Sequence, residues 1–294
     1  MPELPEVETV RQGLHKLLPG QVIREVTFDW DQSFPNEPAS VAQFLVGAQI
    51  VSINRRAKAL LINLNTNYSL VVHLKMTGQL VFRGDNGQKF GAGHPSESLV
   101  GQLPDKSTRV ILTLDHGTLF FNDQRKFGWM RLVPTPEVPD IPFMRKLGPE
   151  PLDPKFTYDV FKNRLYTRPK SAVKAVLLDQ TIIAGIGNIY SDESLFAAKI
   201  HPATPVKNIT EAKLQALYRE LLAVLQLSIQ KGGSSDRNYV NAEGKKGSYL
   251  TFAKVYKRKG LPCPRCGTPI ERIVVAGRGT HICPHCQVLP RVTK

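Results

Sequence analysis

The chain has 294 residues, 41% of them hydrophobic and 22% charged, a composition that fits a folded protein of about two domains and excludes a disordered chain. A formal charge of +14 and a pI near 9.7 ask for a polyanionic partner, with nucleic acid ahead of an anionic membrane surface. No apolar run approaches the roughly 18 residues of a membrane-spanning helix, and the acidic N-terminus is unlike a secretory signal, so an intracellular location, cytoplasm or nucleoid, is expected.

The chain opens with Met1-Pro2-Glu3-Leu4-Pro5-Glu6. Removal of Met1 would leave Pro2 with a free secondary amine, and an α-amino group, with an ordinary pKa of roughly 7.7 to 8.0, is partly neutral near neutrality and forms Schiff bases with sugar aldehydes. Val7, Val10, Leu14 and Leu17 recur at helical spacing, so a helix begins nearby and its positive end would lower that pKa, whereas Glu3 and Glu6 would raise it. Glu3 is also a candidate general acid/base. The same residues fit an ordinary helix start, with proline in the first turn and acids facing the dipole.

From Gln21 to Leu132 the texture is mostly strand, clearest at 22–28, 59–64, 69–74 and 109–114, with turn signals at 65–67 and 115–117. Short antiparallel strands predict a sandwich or barrel flanked by the first helix. The polar, Gly-, Pro- and Ser-containing segment from Gly84 to Lys106 has no clear period and is expected to be a mobile surface loop. Proline density then rises over 133–142, which predicts a stiff, extended connection and a domain boundary.

Beyond it the pattern turns helical at 158–166, 172–178, 191–198 and 211–230. Between two of these lies Gly185-Ile186-Gly187-Asn188, which suits either a phosphate-binding helix start or a packing turn, with Asn188 as N-cap in both cases. The stretch from Lys231 to Tyr239 reads equally as a binding loop or a solvated connection.

The strongest unaided signal comes last. Cys263-Pro-Arg-Cys266 and Cys283-Pro-His-Cys286, sixteen residues apart, have the spacing of two knuckles around one structural Zn²⁺, and four protein ligands leave no open position for catalysis. His281 and His285 are bystanders in this reading. All four cysteines lie in this segment, so nothing is left for a disulfide framework, as suits a reducing compartment. From Glu243 onward there are 11 Lys or Arg against 2 acids, a net +9 whose natural complement is phosphate, and Arg278 falls near the hairpin tip.

Taken in order, Pro-Glu-Leu-Pro-Glu-Val-Glu-Thr at the N-terminus, Leu147-Gly148-Pro149-Glu150-Pro151-Leu152, the segment from Gln180 to Glu193, and the closing hairpin with Gly277-Arg278-Gly279-Thr280-His281 resemble the formamidopyrimidine-DNA glycosylase family, also called Fpg or MutM. The resemblance runs over nearly the whole chain. It implies an α+β, multidomain protein: an N-terminal antiparallel β-sandwich with flanking helices (1–132), a linker (133–150), a helix-two-turn-helix domain (151–242) and a zinc-finger β-hairpin (243–294), with DNA in the cleft between domains. The implied activity is excision of oxidised purines followed by strand cleavage at the abasic site. The implied partner is double-stranded DNA containing oxidised bases or abasic sites, bound by a monomer without a membrane.

Carried over by position, the resemblance makes Pro2 the nucleophile, Glu3 the proton donor to the sugar and Glu6 their support, with Lys58 contacting the lesion and its phosphates. Met76, Arg125 and Phe127 would fill the gap left by a flipped-out base. Asn188 and Arg278 would grip phosphates, Arg278 would also assist the last elimination, Lys174 would contact the backbone, and Tyr239 would belong to the base-recognition loop. Two departures stand out: Val255-Tyr256-Lys257-Arg258 has lysine where the family has glycine, and the segment from 84 to 106 is long. The related endonuclease VIII group, which prefers oxidised pyrimidines, is the nearest rival, and Leu4 and Met76 favour the Fpg branch. A non-enzymatic zinc-ribbon DNA-binding protein would fit the basicity and cysteines but not the acidic, proline-bearing N-terminus.

Overall fold

The structure is a computed structural model that describes residues 2–94, 96–234 and 249–290. Tyr239 therefore lies outside the described residues. The chain forms two compact units, Met1–Arg145 with Ile229–Tyr249, and Lys146–Ser228 with Leu250–Lys294.

The first unit carries helices α1 (Leu4–His15), α2 (Pro38–Phe44) and α3 (Pro142–Arg145) and strands β1 (Ile23–Phe28), β2 (Ile50–Arg56), β3 (Ala59–Leu64), β4 (Tyr68–His73), β5 (Gly78–Gly84), β6 (Lys89–Gly93), β7 (Thr108–Leu114), β8 (Gly117–Asp123) and β9 (Trp129–Pro134). They make two antiparallel sheets, β1-β7-β8-β5-β6 and β2-β3-β4-β9. Alternation sends Ile53, Leu60, Ile62, Leu70 and Val72 from one sheet and Leu80, Phe82, Val110, Leu112 and Phe121 from the other into a single core. Val7, Val10 and Leu14, the stripe legible in the sequence, bury α1 in that same core. The expected sandwich is therefore present.

The expected mobile loop from 84 to 106 is not. Lys89–Gly93 is an edge strand on β5, paired Phe82 to Phe90 and Leu80 to Ala92, and Phe90, Ala92 and Leu99 are buried. Two apolar residues spaced by glycines are too short a pattern to announce a strand, yet both face the core. Phe90 packs so closely on α1 that a Cβ on Gly13 would fall 2.1 Å from its ring. The long segment thus clamps the helix that bears the N-terminal residues. The proline-rich stretch also departs from the extended connector expected: β9 runs to Pro134, a 3₁₀ segment covers Thr135–Asp140, and α3 follows.

The second unit contains α4 (Tyr158–Leu165), α5 (Val173–Leu178), α6 (Asn188–Ala197), α7 (Glu211–Gln230, whose last two residues count with the first unit), and strands β10 (Glu271–Val275) and β11 (Arg278–Ile282); the short α8 (Tyr249–Phe252) begins at the edge of the first unit. The helical module and the cysteine hairpin, expected as separate domains, share a core of Phe196, Val255, Cys263, Ile270 and Cys283. Arg265, between the first two cysteines, caps the C-terminal end of α6 by donating to the Phe196 and Ala197 carbonyls at 3.1 and 3.3 Å while its guanidinium lies 4.5 Å from the Phe196 ring centroid. Among the described residues no helix is long and apolar enough to cross a membrane.

Candidate functional site

Pro2, Glu3 and Glu6 meet at the start of α1, all three buried. Glu3 is the N-cap in extended conformation, and its amide donates to Glu6 Oε2 at 2.9 Å while the Glu6 amide is held by the Glu3 carboxylate, a reciprocal capping box. The second oxygen, Glu6 Oε1, accepts the Ser234 amide at 2.8 Å, and Gly233, at φ +83°, approaches so near that a Cβ there would sit 3.2 Å from the same oxygen. The carboxylates expected to flank the nucleophile therefore also fix the first turn. The ordinary and the functional readings of the hexapeptide are compatible.

Lys58 is the second residue of the tight β2–β3 turn, after Ala57, which is left-handed at φ +52°, and is 5% exposed. Its charge acts on His73, whose imidazole is pushed down to about 3, first by burial and then by Lys75 and Lys58. His73 Nδ1 accepts the Lys75 amide at 3.0 Å, which needs the unprotonated ring and sets the turn that leads to Met76. The native state refuses a proton that the unfolded chain binds near pH 6.5, so this group's stabilisation is complete above that pH and is lost as pH falls toward 3. His73→Asn, whose side-chain oxygen can accept from the amide two residues on, should remove this component. Denaturant melts of the two proteins should show the wild type losing about 1.5 kcal/mol more than the variant between pH 6.5 and 5; parallel losses would contradict the assignment.

Met76 and Phe127 are 39% and 52% exposed, unusual for side chains of this type. Arg125 lies with its guanidinium 4.7 Å from the Phe127 centroid. What holds them was not apparent from the sequence. Asp123 is fully buried at the end of β8, and its carboxylate accepts the amides of Arg125, Phe127 and Gly128 at 3.2, 2.8 and 2.6 Å together with the Thr77 hydroxyl. One carboxylate thus ties the turn after Met76 to the loop bearing Arg125 and Phe127.

In the second unit, Gln180 organises the Gly185–Gly187 turn: its amide nitrogen donates to the Leu178 and Ile186 carbonyls and its oxygen accepts the Gly185 amide. Gly185 is left-handed at φ +94°. The N-cap of α6 is Gly187, one residue before the expected Asn188, which instead donates through Nδ2 to the Gly279 carbonyl at 3.0 Å. Its buried Oδ1 has no partner among the described residues. Arg278 is exposed beside the turn at Ala276 and Gly277, as expected for a hairpin tip.

Lys174 corrects an expectation. It is fully buried, and its ammonium donates to Asp192 Oδ1 at 2.5 Å, Thr280 Oγ1 at 2.7 Å and the Gly279 carbonyl at 3.3 Å. A side chain so enclosed does not reach a DNA backbone. It positions the hairpin instead, since the other Asp192 oxygen accepts the His281 amide at 2.8 Å and Glu193 accepts the amides of Lys254, Val255 and Tyr256. Lys174→Met should cost about 3 to 5 kcal/mol because it strands the Asp192 charge, whereas the double change with Asp192→Leu should recover much of the loss. A stability change under 1 kcal/mol on thermal or urea melting would return Lys174 to the surface role.

Lys257, where the family pattern has glycine, sits at φ +58°. The lysine therefore occupies the left-handed conformation that glycine adopts without strain.

The four cysteine sulfurs lie within 4.8 Å of one another and form no disulfide. Cys266 Sγ is 3.5 Å from those of both Cys283 and Cys286, near the separation of about 3.8 Å that a tetrahedron of 2.3 Å Zn–S bonds imposes. The donor set suits one structural Zn²⁺. The Thr268 hydroxyl and amide pull the Cys266 thiol down to about 6, and burial pushes that of Cys283 up to about 12.

These features coincide with three family models in chain order: the formamidopyrimidine-DNA glycosylase N-terminal domain over residues 1–130, its H2TH domain over 147–239, and the zinc finger found in FPG and IleRS over 260–288. A formamidopyrimidine-DNA glycosylase from Pediococcus pentosaceus is 42% identical over 290 residues, covering 98% of this chain and all of that one. The solved MutM (Fpg) from Thermus thermophilus superposes with a TM-score of 0.83 at 40% identity, covering 99% and 100% of the two chains. Lactococcus lactis Fpg in complex with abasic-site DNA gives 0.85 at 35% identity over 97% and 99%. Matched end to end by such relatives, with helical module and four-cysteine hairpin in the same order, the chain belongs to the formamidopyrimidine-DNA glycosylase family of DNA-repair glycosylase/abasic-site lyases.

Proposed function

We propose that the protein excises oxidised purines, 8-oxoguanine and formamidopyrimidines, from duplex DNA and cleaves the strand through a Schiff base on Pro2. The observation that carries this reading is the gathering of Pro2, Glu3 and Glu6 at the buried start of α1, where loss of Met1 turns the chain's first nitrogen into a secondary amine beside a carboxylic acid. The neutral amine attacks C1′, the damaged base departs with a proton, and Glu3 delivers a proton to the ring oxygen as the sugar opens. The resulting iminium acidifies the C2′ hydrogen, so that the 3′-phosphate and then the 5′-phosphate leave by successive β- and δ-elimination. The iminium accepts the electron pair in each step, and Zn²⁺ is left a purely structural task.

Met76, Arg125 and Phe127 fill the gap in the duplex, Lys58 meets the lesion and its phosphates, and Asn188 and Arg278 hold the backbone, Arg278 also assisting the last elimination. Tyr239 is assigned to base recognition by position alone. Solved relatives support the partner: Lactococcus lactis Fpg with abasic-site DNA and MutM with DNA containing carbocyclic 8-oxo-G. Lactococcus lactis Fpg was also solved with DNA carrying an oxidised pyrimidine, which keeps that substrate class in competition. Borohydride trapping with competing 8-oxoguanine and thymine glycol duplexes decides: preferential adduct on the first supports purine excision, and preference for the second replaces it.

A further inference from the structure

At the end of α6 away from Asn188, the second unit holds a pocket of about 260 Å³ between the 200–210 loop, the first turn of α7 and the chain at 288–290. That is larger than the roughly 150 Å³ that encloses one benzene and smaller than the roughly 300 Å³ at which drug-sized sites begin, so it has room for about ten non-hydrogen atoms. Its apolar lining comes from Ile200 and Ile209, both buried, and from Val288, which is 65% exposed. No acid lines it among the described residues. Thr204 does, at 2% exposure, and its hydroxyl has no hydrogen-bond partner among the described residues. His201 Nδ1 accepts the Ala203 amide at 3.1 Å and burial holds the imidazole below its usual range, so the ring is neutral near pH 7 with its one hydrogen on Nε2. The exposed Lys213 brings the single full charge of the lining. Glu211, two residues earlier on α7, is engaged elsewhere by Tyr158 and Lys162 at 2.6 and 2.8 Å.

A dianionic phosphate would meet one cation and leave Val288 in water, whereas an uncharged apolar molecule would leave the Thr204 hydroxyl unpaired. A monocarboxylate with a branched or aromatic body answers both: its oxygens accept from Thr204, His201 and Lys213 while its carbons lie on Ile200, Ile209 and Val288. We propose that this pocket binds a small apolar monocarboxylate and that its occupant secures the zinc hairpin. The link is the fully buried Gln287. Its side chain donates to the Ile200 carbonyl at 2.9 Å and accepts the Cys283 amide at 3.0 Å, and its own amide donates to the Cys283 carbonyl at 3.0 Å. Ile200 and Val288, which a ligand would bridge, thus flank the side chain that holds one of the four metal-binding cysteines. A ligand that binds only while this arrangement is intact opposes its opening. The site goes beyond the repair reaction, because the phosphates assigned to Asn188 lie at the opposite end of a helix about 15 Å long.

The test uses the full-length, zinc-loaded protein with 3-methylbutanoate and benzoate as probes in ligand-observed NMR. Both should bind saturably, with dissociation constants on the order of 1 mM for so few atoms. Their amides should bind at least tenfold more weakly. Thr204→Val should weaken the carboxylates about tenfold while raising the melting temperature of the ligand-free protein by about 2 to 4 °C, because it removes an unpaired buried hydroxyl. Lys213→Gln should weaken them about tenfold with no change in melting. Benzoate at ten times its wild-type dissociation constant should slow zinc capture by a chelator about tenfold in the wild type and about twofold in Lys213→Gln. Cleavage of abasic-site DNA should be unchanged in both variants. The carboxylate site is overturned if neither probe binds, if inorganic phosphate binds as tightly as benzoate, or if Lys213→Gln keeps full affinity. Benzoate binding that leaves zinc capture unchanged overturns the link through Gln287. Should Thr204→Val prove destabilised, Lys213→Gln and the amide comparison decide.

Discussion

Protein that keeps Met1, or whose first amine is acetylated, will form no borohydride-trapped adduct with abasic-site DNA, and its strand cleavage will fall by a factor on the order of 10³ or more. Retained methionine places a primary amine one residue too early and converts the Pro2 nitrogen into a tertiary amide with no basic lone pair. Nothing else at the start of α1 needs to change: the Glu3–Glu6 box and the packing of Val7, Val10 and Leu14 do not involve that nitrogen. Folding and duplex affinity should therefore survive, and circular dichroism with a fluorescence-anisotropy titration will show whether they do. An adduct of normal yield from blocked protein would move the nucleophile to a lysine, with Lys58 the first to replace.

Removing Zn²⁺ should have the second largest effect. Chelation, or Cys263→Ser, takes away a metal whose binding to small cysteine sites is worth on the order of 10 kcal/mol, more than the contacts of Lys174, Asn188 and Asp192 with β11 can replace. Its loss also releases Arg278 and disperses a segment that carries +9 of the net +14. DNA affinity should drop at least a hundredfold and its salt dependence flatten, because fewer phosphates are neutralised. The two-sheet sandwich of the first unit should keep its spectrum. The pH dependence has a definite sign: Cys283, pushed up to about 12 by burial, must give up its proton to bind metal, so acid competes with zinc and chelators should strip it faster at pH 6 than at pH 8. Unchanged binding by zinc-free protein would remove the hairpin from the DNA interface.

How much of this was legible in the sequence depended on whether the determinant was local. The cysteine spacing, the stripe on α1 and the runs at 59–64 and 109–114 each carry their own signal, because a knuckle, a helical face or a strand is fixed by residues a few positions apart. β6 escaped because its only apolar residues, Phe90 and Ala92, are separated by glycine and acquire meaning only against Gly13 of α1. Lys174 misled for the opposite reason. A lysine beside basic neighbours reads as a surface charge until Asp192 and Thr280, distant in sequence, close around it. Asp123, Gln180 and Glu193 were hidden in the same way, since a side chain that turns inward to satisfy backbone groups leaves no period and no spacing to read.

Glu6 has two oxygens and gives one to each end of a long circuit: Glu3 at the chain's beginning, Ser234 some 230 positions later. Reciprocity follows from that sharing. A displacement of the Ser234 backbone is felt through Glu6 at the Glu3 amide, and a displacement of the first turn of α1 is felt in turn at Ser234. A substitution meant to shift the 234 backbone while leaving the first turn of α1 in place therefore has to leave that carboxylate alone.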